Sequence, residues 1–172
     1  MSWHKNPDYR GCTKDYIEMP EWQSNFGLLK KYGLSFDMQI FPYQMSRAAE
    51  LARRYPDIQV IMNHSGMPPF EYDDNIDIWK QNLKLPGPLS NVAIKISGLG
   101  MFDHEWTTES IRPIVRYIIE VFGIELAGNY PVDSLYGDYD TIYETFSLIL
   151  EDFEPSKQKT LFHENAAKIY RI

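Results

Sequence analysis

The sequence predicts an α/β protein whose strands run parallel. Three short segments, 34–40, 58–62 and 92–96, are rich in β-branched or aromatic residues, and the last two are almost continuously apolar. Strands that are covered on both faces, as in parallel sheets, have this composition. The segments begin roughly 25 to 35 residues apart with one amphipathic stretch in each gap, which is the spacing of βα units in a parallel sheet or barrel.

Three helices are predicted from apolar residues that recur at spacings of three and four. The first stripe follows the first strand and ends before Pro56; it consists of Met45, Ala48, Ala49, Ala52 and Tyr55. A second stripe near the end of the chain consists of Phe162, Ala166, Ile169 and Tyr170. Each stripe would face the core of the protein.

The clearest helix follows the third strand, and its apolar stripe consists of Ile111, Ile114, Val115, Ile118, Ile119 and Phe122. Pro113 fits a helix that begins near Ser110, since the first turn has no intrahelical partner for a backbone N–H. We therefore expect Ser110 to be the N-cap.

A fourth strand is less clearly indicated. Between the helix that ends near Gly123 and the turn at Pro131, only segment 124–130 is available, and it contains few apolar residues. Strands usually have five or six residues. We expect a thin strand here.

Composition limits the functions of the chain. With 172 residues and 44% hydrophobic content it can bury one core, so we expect a single domain over residues 1–172. A net charge of -7 without a basic cluster argues against nucleic acid as a partner. The single Cys12 fits a reducing compartment or indifference to redox. No apolar run approaches the roughly 20 residues of a membrane helix, and we expect a cytoplasmic protein.

Polar residues end the predicted strands, where ligands bind in parallel α/β proteins. The second strand leads into Asn63-His64-Ser65-Gly66, the third contains Lys95 and ends in Ser97-Gly98, and the fourth leads into the segment 129–133. Asp37 and Gln39 lie on the first strand, and Trp3-His4 stands at the start of the chain. These residues are the candidates for chemistry.

Each candidate has a structural and a functional interpretation. His64 is either a hydrogen-bonded structural histidine or a metal ligand or proton-transfer group. Asp133 is either a turn former after Pro131 or a general base that activates water. Lys95 lies inside an apolar strand, so it must reach solvent, pair with an acid or face a polar cavity. For His104 and His163 we expect solvated or surface positions.

Six motifs, in this order and spacing, resemble the amidohydrolase-related family, especially its barrel hydrolases that act on sugar lactones and similar cyclic esters. They are Ser-Trp-His at 2–4, Gly-Leu-Ser-Phe-Asp at 33–37, Asn-His-Ser-Gly-Met-Pro at 63–68, Lys-Ile-Ser-Gly-Leu-Gly at 95–100, Pro-Val-Asp-Ser-Leu at 131–135 and Leu-Phe-His-Glu-Asn-Ala-Ala at 161–167. The resemblance implies a partial (β/α)8 TIM barrel. This chain would contain about the last five βα units and would be a C-terminal portion without the first strands.

The resemblance also implies a site. Asp133 would take a proton from the attacking water, His64 would face the metal or substrate, and both are tentative metal ligands. Residues that would contact the substrate are His4, Gln39, Lys95 and Trp106. The implied reaction is attack of water on a carbonyl polarised by His64, Lys95 or a metal, followed by opening of the ring C–O bond.

The family begins with a strand that bears a His-x-His pair, which this chain lacks. A catalytic divalent ion typically takes three protein ligands, so we expect either a Zn²⁺ or Mn²⁺ ion or no metal. About five strands cannot close a barrel, and their open edges predict self-association. The short fourth strand would displace Asp133, and activity would then require the missing strands. A non-catalytic remnant that binds a small acid or another chain, and a decarboxylase, are the alternatives.

Overall fold

A computed structural model of the chain describes residues 3–4, 6–69, 76–101, 103–124, 126–127 and 135–172. Within these ranges, four parallel strands form one sheet in the order β1-β2-β3-β4. The strands are β1 (Phe36–Met38), β2 (Val60–Met62), β3 (Val92–Lys95) and β4 (Leu126–Ala127). They lie inside or overlap the four segments identified in the sequence, so the prediction of an α/β protein with parallel strands is confirmed.

Helices precede, connect and follow these strands. They are α1 (Pro20–Phe26), α2 (Leu28–Lys31), α3 (Met45–Arg54), α4 (Ile76–Leu83), α5 (Thr108–Phe122), α6 (Tyr139–Ile149), α7 (Pro155–Lys159) and α8 (Asn165–Tyr170). The apolar stripe predicted on α3 is buried from Met45 to Ala52, and Tyr55 caps the end of the helix. Within the described ranges, no helix has the length and apolar character needed to cross a lipid bilayer.

The start of α5 differs from the prediction. Thr107, not Ser110, is the N-cap: its Oγ1 accepts a hydrogen bond from Ser110 N at 3.1 Å, and Ser110 Oγ accepts one from Thr107 N at 2.9 Å. This reciprocal pair satisfies two backbone N–H groups that would otherwise lack partners. Pro113 therefore lies in the second turn of the helix, and its predicted place in the first turn was wrong.

The two faces of the sheet have different partners. Side chains of alternate strand residues, including Met38, Val60, Met62 and Ile94, are buried with the helices α3, α4 and α5 in the main core. On the opposite face Ile61 and Ala93 pack against Ile169 of α8. Strand residues alternate between faces, so odd-numbered residues of β1, β2 and β3 point toward the C-terminal helix.

The C-terminal stripe is shifted relative to the prediction. The buried residues are Leu161, Asn165 and Ile169, while Phe162 and Tyr170 are only half-buried. A π-helical turn over Thr160–Glu164 precedes α8 and changes which residues face the sheet. The amide of Asn165 donates a hydrogen bond to the carbonyl of Ile124, just before β4. This contact fixes α8 beside the thin fourth strand.

Candidate functional site

A left-handed turn follows β2. Four consecutive residues have positive φ angles: His64 at 51°, Ser65 at 54°, Gly66 at 68° and Met67 at 56°. Three of them carry a Cβ, for which this conformation is unfavourable by about 1–3 kcal/mol each. Such residues persist only where the surrounding structure holds them, and they concentrate at functional sites.

Buried hydrogen bonds hold the turn in place. Ser65 Oγ donates to the Ser97 carbonyl at 3.1 Å and accepts from Ser97 N at 3.3 Å. Trp79 of α4 donates from its indole nitrogen to the Ser65 carbonyl at 3.0 Å. The end of β3 and the helix α4 therefore fix the turn from two sides.

His64 is 7% exposed, and Ser97 Oγ lies 3.3 Å from its Nδ1. Gly98 has a φ of +69°, and a Cβ at this position would lie 2.8 Å from His64 Nδ1, so only glycine fits beside the ring. Burial, and secondarily the positive charge of Lys95, lower the pKa of His64. The imidazole is therefore neutral at pH 7 and retains one nitrogen that can accept a proton, a hydrogen bond or a metal.

Lys95 is held as a cation. Its Nζ lies 2.6 Å from Asp37 Oδ1, and its side chain is 12% exposed. Nζ also lies 5.4 Å from the centroid of the Tyr170 ring. Burial lowers the pKa of Lys95, but hydrogen bonds to Asp37 and Tyr170 and the electrostatic interactions with both groups together outweigh it, so the pKa is raised. Of the three alternatives for this residue, the structure shows pairing with an acid.

Gln39 and Asn63 lie in one row with Lys95. In the parallel sheet, Met62 lies beside Met38 on one side and beside Ile94 on the other. Continued by one residue along each strand, this register places Asn63 between Gln39 and Lys95. A hydrogen bond from Asn63 N to the Met38 carbonyl, 2.9 Å long, confirms that the register continues past the strand. Two predicted site residues, Gln39 and Lys95, are therefore brought to the same end of the sheet.

His4 packs among aromatic rings. It is 9% exposed, and its ring centroid lies 4.6 Å from that of Phe41. Its Nδ1 accepts a hydrogen bond from Asn6 N at 3.0 Å, and its carbonyl accepts one from Arg10 Nε at 2.6 Å. These contacts fix the start of the described chain, and a role of His4 in substrate binding stays a prediction.

Trp106 lies beside Gly100 and Tyr136, after the end of β3. Its indole nitrogen donates a hydrogen bond to the Tyr136 carbonyl at 3.0 Å. Trp106 and Ser97 line the same narrow cleft, so the cleft adjoins the residue that contacts His64. Trp106 thus fixes the segment that follows residues 128–134. Asp133, the predicted general base, lies outside the described residues.

The described part of the chain contains no group of three or more His, Cys, Asp or Glu side chains that could hold a metal ion. His64 has the right chemistry as one ligand, but these residues do not form a complete coordination set. His104 is exposed and stacks on Tyr136 at 5.3 Å between ring centroids, and His163 is exposed, as expected for both.

Asn63 was among the candidates, but no role was predicted for it. Its Oδ1 is buried and has no hydrogen-bond partner. The sequence places Asn63 at a strand end next to His64, which was a usable signal. What the sequence does not show is that this side-chain oxygen is buried without a hydrogen-bond partner after folding.

A family model described as amidohydrolase matches residues 4–172. The uncharacterized protein y4mH of Sinorhizobium fredii is 44% identical over 156 residues, covering 89% of this chain and 52% of y4mH. An L-fucono-1,5-lactonase of Burkholderia ambifaria is 24% identical over 190 residues, covering 98% of this chain and 63% of the lactonase. The chain therefore spans between half and two thirds of the length of these relatives.

Solved structures share the fold. A Burkholderia multivorans amidohydrolase with bound zinc matches with a TM-score of 0.80 and 19% identity, over 91% of this chain and 59% of that one. A putative 2-pyrone-4,6-dicarboxylic acid hydrolase from Pseudomonas putida matches with a TM-score of 0.71 and 14% identity, over 93% of this chain and 59% of that one.

Proposed function

This chain is a member of the amidohydrolase family, and we propose that it forms part of a hydrolase site that opens a lactone or a similar cyclic ester or amide. The observation that carries the proposal is the strained, buried turn that presents neutral His64 near the fixed cation Lys95. Similarity to an L-fucono-1,5-lactonase supports a lactone as the substrate. The partner would be a small molecule.

The proposed reaction begins when the oxygen of a water molecule attacks the carbonyl carbon of the ring. Asp133 takes the proton of this water, and the charge that develops on the carbonyl oxygen is stabilised by a hydrogen bond from His64 and by the positive charge of Lys95. The ring C–O bond then breaks, and the leaving oxygen takes up a proton to give a hydroxy acid. Gln39, His4 and Trp106 would contact the substrate.

A divalent cation, Zn²⁺ or Mn²⁺, would be held by His64 and Asp133 together with other groups outside the described residues, and it would polarise the carbonyl of the substrate. We also propose that residues 1–172 form one domain, corresponding to about the last five βα units of a (β/α)8 barrel. The strand β1 lies at one end of the described sheet, where a further strand or a second copy of the chain could pair with it.

The experiment is proton release from a panel of sugar lactones that includes L-fucono-1,5-lactone, with and without added Zn²⁺ or Mn²⁺. We expect turnover by the chain and a loss of at least about 100-fold in Asp133→Asn, because a general base contributes about 10²–10⁴-fold. Asp140→Asn, which changes an exposed carboxylate of α6, is the matched control and should retain activity. Folded chain that releases no protons from any lactone would refute hydrolysis by this chain alone.

Two further measurements separate the alternatives. Release of carbon dioxide instead of a ring-opened acid would indicate a decarboxylase. Binding of a small acid without any turnover would indicate a non-catalytic module.

A further inference from the structure

Ser97 and His64 form a buried pair just beyond the end of β3. Ser97 is 1% exposed, and its Oγ lies 3.3 Å from His64 Nδ1. Gly98 lies against the same edge of the ring, since a Cβ added there would come within 2.8 Å of Nδ1. The proposed hydrolysis uses His64 as a hydrogen-bond donor, so the ring nitrogen that carries the proton decides which group the ring presents to the substrate.

The backbone of Ser97 is hydrogen-bonded to Ser65. Ser65 Oγ accepts a hydrogen bond from Ser97 N at 3.3 Å and donates its single proton to the Ser97 carbonyl at 3.1 Å. Ser65 therefore has no further proton to donate to the Ser97 hydroxyl. Within the described part of the chain, His64 Nδ1 is the only hydrogen-bond partner of Ser97 Oγ.

The two tautomers of His64 differ in how many of these buried groups are paired. A neutral imidazole carries its proton on one ring nitrogen, and the other nitrogen accepts. With the proton on Nδ1, this nitrogen would donate to Ser97 Oγ, and the hydroxyl proton of Ser97 would have no acceptor among the described residues. With the proton on Nε2, the Ser97 hydroxyl donates to Nδ1 and both groups are paired. Buried donors are nearly always paired, so the Nε2–H tautomer is favoured.

This tautomer determines what His64 offers to a ligand. The ring bonds to the described residues at Nδ1, which leaves Nε2 for the substrate. A protonated Nε2 can donate a hydrogen bond to the carbonyl oxygen on which negative charge develops. A cation held at Nε2 would need the opposite tautomer, with the proton on Nδ1 and Ser97 as its acceptor. The Nε2–H tautomer therefore belongs to the site without a cation.

We propose that Ser97 is a positioning residue that keeps the proton of the neutral His64 ring on Nε2. Its hydroxyl donates to Nδ1, holds the ring in place and makes Nε2 a hydrogen-bond donor toward the substrate. Ser97 itself takes no part in proton transfer. The importance of this tautomer for catalysis rests on the proposed function, but the tautomer is measured without substrate.

The test is a long-range proton–nitrogen NMR spectrum of the isotope-labelled chain at about pH 8 with EDTA, where the His64 ring is neutral and free of metal. Such a spectrum distinguishes a protonated ring nitrogen from an unprotonated one, and the signals that disappear in His64→Gln belong to His64. We expect a protonated Nε2 and an unprotonated Nδ1. A protonated Nδ1 in the unchanged protein would overturn the proposal.

Variants at Ser97 then test the hydroxyl itself. In Ser97→Ala we expect the ratio of the two tautomers to shift about fivefold toward the Nδ1–H form, which is the effect of one neutral hydrogen bond. Ser97→Thr retains a hydroxyl and should retain the Nε2–H form. Ser90→Ala, at an exposed position before β3, is the matched control and should leave the ratio unchanged.

A thermal melting curve shows whether each variant is folded. An unchanged ratio in folded Ser97→Ala, or the same shift in folded Ser97→Thr, would contradict the role of the hydroxyl. The outcome is distinguishable from that of the hydrolysis assay. The expected tautomer without lactone turnover would support the role of Ser97 and refute hydrolysis by this chain, whereas turnover with a protonated Nδ1 would do the reverse.

Discussion

Adding a methyl group at Gly98 tests whether the backbone after β3 is shaped by its contact with His64. Gly98 has a φ of +69°, a conformation that is unfavourable by about 1–2 kcal/mol for a residue with a Cβ. The added Cβ would also lie 2.8 Å from His64 Nδ1 and 3.0 Å from His64 Cβ and Cγ. His64 is buried and cannot rotate into solvent, so the steric clash should destabilise the variant further by about 1–3 kcal/mol, the usual cost of overpacking.

We therefore expect Gly98→Ala to lower the free energy of unfolding by about 2–5 kcal/mol, from the sum of these two contributions. Gly33→Ala is the matched control, because Gly33 has a φ of +62° but a Cβ there would meet nothing within 4 Å. Only the conformational cost of about 1–2 kcal/mol should appear in the control. The difference between the two variants isolates the contact with His64.

Urea unfolding followed by circular dichroism measures both variants, and a histidine NMR spectrum reports whether the His64 ring is displaced. If the two variants differ by less than about 0.5 kcal/mol, which is the usual scatter of such comparisons, the steric reasoning is wrong. An unchanged His64 signal in Gly98→Ala would refute the proposed contact in the same way.

Three further changes test the electrostatics and hydrogen bonds of the site. Because the pKa of His64 is lowered, the contribution of this residue to the free energy of unfolding should be constant above about pH 6.5. Below that value the contribution should decrease as the pH falls, by at most about 1.4 kcal/mol per pH unit. In urea unfolding between about pH 5 and 7, His64→Gln should lack this pH dependence. Lys95→Met should raise the pKa of His64 in an NMR titration yet leave it below its usual value, because burial is the larger cause; a lower pKa would contradict the assignment. Trp79→Phe should lower the free energy of unfolding by about 2–4 kcal/mol, measured in urea, because it leaves the buried Ser65 carbonyl unpaired and opens a small cavity. A decrease under about 1 kcal/mol would show that this hydrogen bond is unimportant.

Local patterns predicted the regular elements well. The strands β2 and β3 and the helices α3 and α5 are visible in the sequence because burial of one face imposes a period on apolar residues. Predictions at element ends were poorer. Thr107 and Ser110 are both acceptable N-caps, and only the reciprocal hydrogen bonds in the folded protein decide between them. The C-terminal stripe was shifted because periodicity does not reveal the π-helical turn before α8.

Site residues divide in the same way. The sequence marks His64 and Lys95 as polar residues at strand ends, where parallel sheets bind ligands. It does not show that Lys95 pairs with Asp37, which lies two strands away across the sheet. Nor does it show that Oδ1 of Asn63 lacks a hydrogen-bond partner, because hydrogen bonding depends on neighbours that are distant along the chain.

The sequence by itself determined the family and the parallel α/β class, since motif order and apolar periodicity are local properties of the chain. Only the tertiary structure decided the left-handed turn at His64, the neutral state of its ring and the row formed by Gln39, Asn63 and Lys95. These features depend on burial and on strand register. Both arise only when segments about 30 residues apart are brought together in a sheet, as in βα units.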